Sequence, residues 1–302
     1  MLKIAWNSNY AHPLPVGHRF PMEKYSLLPQ QLVYEGTVND NNFFDPIPVS
    51  EKLVLGIHDE AYFQKLKSCS LTRKEERATG FPLSQELVQR ELEITGGTVQ
   101  AVDFALKYGV SANIAGGTHH AYKDRGEGFC LLNDIAVGSH YALQKAEIKQ
   151  VLVIDLDVHQ GNGTAKIFEN DNRVFTFSMH GAKNYPNHKE KSDLDIGLPD
   201  KTGDAEYLEI LKNHLSGLID RVKPNLIFFL SGVDVLETDK LGRLSLTIEG
   251  CKMRDTLVFN EIRQRNLPVV FNMGGGYSEK IANIVDAHAN TFRAAQDIFF
   301  TY

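Results

Sequence analysis

The chain is 302 residues long, enough to bury a full core in one large α/β domain or two smaller ones. Hydrophobic residues make up 42% and charged residues 23%, ordinary globular usage, and a formal net charge of −6 argues against a general nucleic-acid or anionic-membrane surface. No run approaches the roughly 18 apolar residues of a membrane span. The start, MLKIAWNSNY, lacks the basic region, apolar stretch and small-residue cleavage site of a signal peptide. Three unpatterned cysteines, Cys69, Cys130 and Cys251, imply neither a disulfide frame nor a CxxC metal site, and a cytoplasmic location is expected.

In chain order, strand-like runs fall at 2–6, 112–117, 151–156, 173–178, 225–231 and 268–273. Helix-like periodicity falls at about 84–107, 133–146, 204–221, 249–264 and 279–298. Ser84 reads as a helix N-cap and Gly109 as a stop. Several strands are almost continuously apolar, as strands buried on both faces are, so the alternation predicts an α/β fold with a parallel sheet flanked by helices. No repeat or low-complexity linker divides the chain, and residues 1–302 are expected to form a single domain. Two segments, 7–50 and 180–203, read as long loops, which in a compact domain are usually functional. The C-terminal DAHANTFRAAQDIFF reads as an amphipathic helix that packs on the domain or on another subunit.

Four segments carry chemistry. In VLVIDLDVHQGNG (151–163), Asp155, Asp157 and His159 follow a buried strand at intervals of two and so lie together at its carboxyl end. That edge of a parallel sheet borders the ligand crevice. A carboxylate there is costly unless paired or bound to a cation. An Asp and a His two residues apart, with one further oxygen ligand, suit a catalytic zinc with an open position; the alternative is a loop with hydrated acids or an N-cap. GGTHHAYKDRGEGFCLLND (116–134) places His119 and His120 just past a short strand, where one could act as a general base and the other as its electrostatic partner, or both could simply be surface residues. FFLSGVDVLETDKLG (228–242) puts Asp234 at another strand end, where it can supply the missing metal ligand or serve as a turn or cap residue. FNMGGGYS (271–278) lets the backbone approach a ligand closely and holds Tyr277 where a phenol could donate to an oxyanion, or pack as core.

Taken together, GGTHHA, GEGFCLLND, DLDVHQGNG, SGVDVLETDKLGRLS and GGGY resemble the histone deacetylase superfamily, in particular its class IV branch and bacterial relatives. They stand in the family's order across residues 112–280, and GHRFPMEKY (17–25) resembles the family's amino-terminal segment. The resemblance implies the arginase/deacetylase fold, with an open parallel sheet of about eight strands, two more than the periodicity shows.

It also implies zinc ligands Asp157, His159 and Asp234, with Asp155 orienting His119, His120 as general base and acid, and Tyr277 polarising the carbonyl. Gly128, Phe129, Tyr185, Leu241 and Gly275 would contact substrate, and Arg19 would line an internal cavity behind the metal. A potassium site would use Asp155, the backbone of Asp157, His159 and Met179, and the Ser178 hydroxyl. Iron(II) could replace zinc in a mixed Asp/His site. Asn162 stands where class I members carry Asp, so His120 should have a lower pKa than with a carboxylate partner.

The implied reaction is hydrolysis of an acylated lysine. The alternatives are hydrolysis of an acylpolyamine or another small N-acyl amine, and non-catalytic binding of acyl-lysine. No basic or disordered tail indicates a chromatin partner, no direct nucleic-acid binding is expected, and the oligomeric state is not legible.

Overall fold

The computed structural model describes residues 1–300. Eight strands form one sheet: β1 (Lys3–Ala5), β2 (Phe43–Phe44), β3 (Val110–Asn113), β4 (Val151–Asp155), β5 (Val174–Gly181), β6 (Leu194–Leu198), β7 (Leu226–Leu230) and β8 (Val269–Asn272). Their order is β2-β1-β3-β8-β7-β4-β5-β6, and every pairing is parallel. The helices are α1 (Lys24–Tyr34), α2 (Glu51–Leu55), α3 (Glu60–Lys67), α4 (Arg73–Thr79), α5 (Gln85–Tyr108), α6 (Asp134–Ala142), α7 (Asn162–Phe168), α8 (Asp204–Val222), α9 (Ile248–Gln264) and α10 (Ile281–Phe300).

Residue alternation along the central strands builds a three-layer core. Val151, Val153, Phe228, Leu230 and Val270 face one side and pack with residues of α5, α6 and α7. Leu152, Ile154, Ile227, Phe229 and Phe271 face the other and pack with α8, α9 and α10. A run such as LIFFL is therefore apolar throughout because both of its faces are covered. Removing a side chain of this size from water is worth about 1.5–3 kcal/mol, so the strands bearing the site are anchored from both sides.

The expected caps form. The Ser84 side chain accepts from the Leu87 amide at 3.1 Å, and Gly109 ends α5 in the left-handed conformation with φ +87°. The carboxyl-terminal helix packs on α9 and α1.

Two strands lie inside the segments read as loops. β2 is two residues long, too short for any periodicity. β6 is an edge strand of alternating exposure. The segment 7–50 also contains α1, and the strand expected at 112–117 is really Val110–Asn113, with Ile114–Gly117 forming the turn beyond it.

Candidate metal and catalytic site

Four neighbouring strands, β3, β8, β7 and β4, each deliver part of one site from their carboxyl ends. The loop after β3 carries His119 and His120, that after β8 Tyr277, that after β7 Asp234, and that after β4 Asp155, Asp157 and His159. Residues distant in sequence meet because the sheet order interleaves late strands with early ones.

Asp157, His159 and Asp234 converge, each buried, with one potential ligand atom apiece lying within 4.8 Å of the others. The His159 Nδ1 lies 3.1 Å from Asp157 Oδ1 and 3.1 Å from Asp234 Oδ2. The opposite carboxylate oxygens are fixed by backbone: Asp157 Oδ2 accepts from the Gly275 amide at 2.7 Å, and Asp234 Oδ1 from the Val158 amide at 2.9 Å. Gly275 is required here because a Cβ at that position would overlap the Asp234 carboxylate. Two carboxylates buried to 1% and 0% exposure repel each other and favour a shared cation. Burial first, then the Asp157 charge, raises Asp234 to about 7, while the two carboxylates outweigh burial to raise His159 to about 10. Two oxygens and one imidazole nitrogen, held from behind and open toward a cleft, fit a divalent ion such as zinc.

The histidine pair is oriented by separate partners. His119 Nδ1 lies 2.7 Å from Asp155 Oδ2, and although burial opposes its charge, Asp155 and Asp157 raise it to about 9. The ring nitrogen of His120 that faces inward, Nδ1, lies 2.6 Å from Asn162 Oδ1. The Asn162 amide donates from Nδ2 to the Tyr122 oxygen at 3.0 Å, and the Tyr122 hydroxyl donates to Glu190 Oε1 at 3.2 Å. Donation runs one way along this chain, which makes Nδ1 of His120 the protonated nitrogen and leaves Nε2 with its lone pair. Burial, then the neighbouring His119 and His159, hold His120 well below the ordinary histidine range.

An open cleft of about 690 Å³ leads to these groups. His120, Gly128, Phe129, His159, Tyr185, Leu241 and Tyr277 line it. The 128–129 backbone is docked onto the end of α4 by Gly128 N–H to Ala78 O at 2.9 Å and Phe129 N–H to Thr79 O at 2.8 Å. Gly128 has φ +53°, and a Cβ there would sit 2.6 Å from the His120 ring. Tyr185 meets His120 edge-on at 4.9 Å between ring centroids and donates to Glu127 at 2.6 Å. Tyr277 is 8% exposed, its backbone amide donates to Asp239 Oδ2 at 2.5 Å, and burial raises the phenol well above its ordinary value.

A smaller cavity of about 40 Å³ lies inward of the same groups and touches Phe20, Tyr25, Cys130 and Gly275. Arg19, expected along that internal cavity, is instead exposed at the outer mouth with its guanidinium 4.9 Å from the Phe129 ring centroid. A buried cation of this region is Lys24. It donates to Gly274 O at 3.3 Å, and its ammonium lies between the rings of Phe20, Tyr25 and Tyr277. Burial lowers Lys24 to about 8.

Of the residues suggested for potassium, Asp155 and Ser178 are in register on adjacent strands, and the Ser178 hydroxyl lies 2.9 Å from His180 Nδ1.

Four contributors carry no sequence signal of their own: Tyr122 and Glu190 in the hydrogen-bond chain, Asp239 behind Tyr277, and Arg254. The last is fully buried in α9 and donates from Nη1 to Leu156 O at 3.2 Å and Gly232 O at 2.6 Å, tying together the strand ends that carry Asp157 and Asp234.

Fold and site together define the class, the arginase/deacetylase fold with a buried Asp–His–Asp cluster at the carboxyl edge of its sheet. Residues 18–292 match the family model described as the histone deacetylase domain, and the chain belongs to that family. It is 32% identical over 277 residues to histone deacetylase 2 of Arabidopsis thaliana, covering 89% of this chain and 72% of the relative. An uncharacterized protein of Picosynechococcus is 41% identical over 98% of this chain and 99% of its own length. The crystal structure of a histone deacetylase homologue from Aquifex aeolicus superposes with a TM-score of 0.83 at 26% identity, covering 97% of this chain and 84% of that one. A homologue solved in complex with SAHA gives a TM-score of 0.84 at 26% identity, over 98% and 84% of the two chains.

Proposed function

We propose that this protein is a zinc-dependent amidohydrolase that removes acetyl or longer acyl groups from acylated lysine side chains. The single observation that carries the proposal is the convergence of Asp157 and Asp234 on His159, which reaches the floor of the same cleft as His120 and Tyr277. Family membership and the relatives named histone deacetylase support it.

Asp157, His159 and Asp234 would hold the zinc, which when bound would supply Lewis acidity toward the acyl carbonyl and lower the pKa of water toward neutrality; iron(II) would suit the same mixed donor set. In this scheme His120 accepts the proton of the attacking water at Nε2, since Nδ1 is committed to Asn162. The Tyr277 hydroxyl donates to the acyl oxygen as negative charge develops there. His120 then returns the proton to the leaving lysine amine. His119, kept cationic by Asp155, balances that charge without leaving its place. The Gly128 carbonyl accepts the substrate amide N–H, Phe129 and Tyr185 flank the aliphatic stem, and Leu241 meets the substrate at the rim. Gly275 acts on this scheme through the metal ligands it touches. The same proposal places potassium at Asp155, the backbone of Asp157, His159 and Met179, and the Ser178 hydroxyl, supported by the burial of Asp155 and Ser178 side by side.

An acylpolyamine is a less suitable substrate, because a polycation calls for an acidic entrance and this one carries Arg19, Arg77, Lys183 and Arg243. The test is hydrolysis of peptides carrying lysines with acyl chains of graded length, before and after chelation and after zinc is restored. Chelator-sensitive release that zinc recovers is expected. Failure to release any acyl group from any chain length would overturn the proposal.

A further inference from the structure

The mouth of the cleft has a charge opposite to that of the protein as a whole. The chain carries a net −6, yet Arg19, Arg77, Lys183 and Arg243 ring the entrance and Glu127 is the one acid that lines it. The Glu127 carboxylate is already engaged by Arg125 Nε at 2.8 Å and by the Tyr185 hydroxyl at 2.6 Å. Asp200, behind the rim, is shared by Arg243 at 3.3 Å and Lys183 at 3.8 Å. Among the described residues, neither Arg19 nor Arg77 has a carboxylate partner. Arg19 rests on the Phe129 ring, the wall along which an acylated stem would pass. Arg77 also borders a neighbouring depression of about 490 Å³, lined by Arg73 and one acid, Glu76, where Gly80, Phe81 and Pro82 supply surface for an extended chain.

We infer that the preferred substrate is an acylated lysine within an acidic peptide, with carboxylates flanking the modified residue. The inference rests on the deacylase reading and narrows its substrate class. The cations come from four separate segments placed around the perimeter. Lys183 and Arg243 already share the one carboxylate of Asp200, whereas a peptide crossing the mouth also meets Arg19 and Arg77. Like-charged substrates, such as the strongly basic tails on which lysine acylation is often found, meet repulsion there. Fields of this kind raise association with oppositely charged ligands and weaken with salt over about 10 Å at 0.1 M ionic strength.

The experiment uses the metal-loaded full chain and three acetyl-lysine peptides of equal length whose flanking residues are Asp/Glu, Ser/Gly or Lys/Arg. Hydrolysis gives kcat and KM, and fluorescence anisotropy gives binding of the same peptides. At low salt the acidic peptide should exceed the basic one by about ten-fold or more in kcat/KM, through KM, and in affinity. That ratio should shrink toward unity at 0.5 M salt and in the double variant Arg19→Glu/Arg77→Glu. The single variants Arg19→Gln and Arg77→Gln should each remove part of it. Free Nε-acetyl-lysine, with its one carboxylate, should gain little.

Hydrolysis with no dependence on flanking charge, or an acidic preference that survives the double substitution, would overturn the inference while leaving the deacylase reading intact. Tighter binding of the acidic peptide without any hydrolysis would overturn the deacylase reading and uphold the charge preference. Equal binding of all three peptides, or no binding, would overturn the inference.

Discussion

Replacing Asn162 by Asp tests how His120, the proposed general base, is tuned. The new carboxylate would stand where the amide oxygen now lies, 2.6 Å from Nδ1 of His120. With charge centres about 4 Å apart, the attraction is about 4 kcal/mol at an effective dielectric of 20, equivalent to about three pKa units. Two effects oppose it. The new charge must be buried at a position that is 1% exposed. The Asn162 Nδ2 donation to Tyr122 is also lost, and the Tyr122 hydroxyl then lies between two carboxylates and can donate to only one. A net rise of about one to two units in the pKa of His120 is expected. Because the proposed mechanism needs neutral His120, the acidic limb of kcat/KM against pH should move upward by the same amount. The assay is the pH–rate profile of an acetyl-lysine peptide for both proteins, with melting temperatures confirming equal folding. Superimposable acidic limbs would refute the coupling. Asn162→Ala should lower kcat/KM without raising the limb, since it removes the tautomer lock and adds no charge.

Tyr277→Phe should reduce turnover by roughly two to three orders of magnitude, the usual cost of one lost oxyanion donor, with peptide KM little changed; steady-state kinetics showing near-normal kcat would remove Tyr277 from the chemistry. Arg254→Lys keeps a positive charge near Asp255 but cannot span the Leu156 and Gly232 carbonyls. It should weaken zinc affinity by about 10–100-fold in chelator competition, and unchanged affinity would leave Arg254 a core residue only. His58 is 2% exposed and accepts from the Asn133 amide at 3.0 Å. Burial lowers it from 6.5 to about 4, so the unfolded chain binds the extra proton between those values. Its contribution to stability is full above pH 6.5 and is lost as the pH falls toward 4, by at most about 3 kcal/mol. His58→Gln retains an acceptor and should flatten the loss of melting temperature between pH 6.5 and 4.5 relative to the unsubstituted protein; identical slopes would refute the assignment.

The sheet was legible where burial on both faces made strands continuously apolar, as in VLVID and LIFFL. It was illegible where strands lie at an edge. β6 alternates because one face is wet, and β2 is too short to show any period. The acid and imidazole groups were legible because charge at the end of an apolar run is conspicuous and the motif order matched a family. Their supports were not. Tyr122 and Glu190 are 68 residues apart, and their hydrogen bond depends on how the segment 182–193 folds back toward the loop after β3. Arg254 lies within an amphipathic helix, where a charged residue ordinarily signals a wet face rather than a buried clamp. Arg19 was misplaced for the converse reason: the motif around it is continuous, but five residues on it is Lys24 whose side chain turns inward.

That inward turn explains a division of charge across the site. Behind Tyr277 there is a fully buried lysine among rings, and at the mouth there are exposed arginines, while the acids are concentrated between them at the candidate metal centre. The outer cations lie in water, where their attraction is screened by salt, so they can select among approaching substrates without fixing one strongly. The inner carboxylates are dry and mutually repulsive, so they constitute a large penalty until a cation joins them. The two charge sets should therefore separate in experiment. Added salt should alter KM for charged peptides while leaving metal affinity nearly unchanged, and substitutions at Asp157 or Asp234 should abolish metal binding without altering how flanking charge is discriminated at the rim. If salt lowered metal affinity and KM in parallel, the rim and the centre would have to be treated as one electrostatic unit.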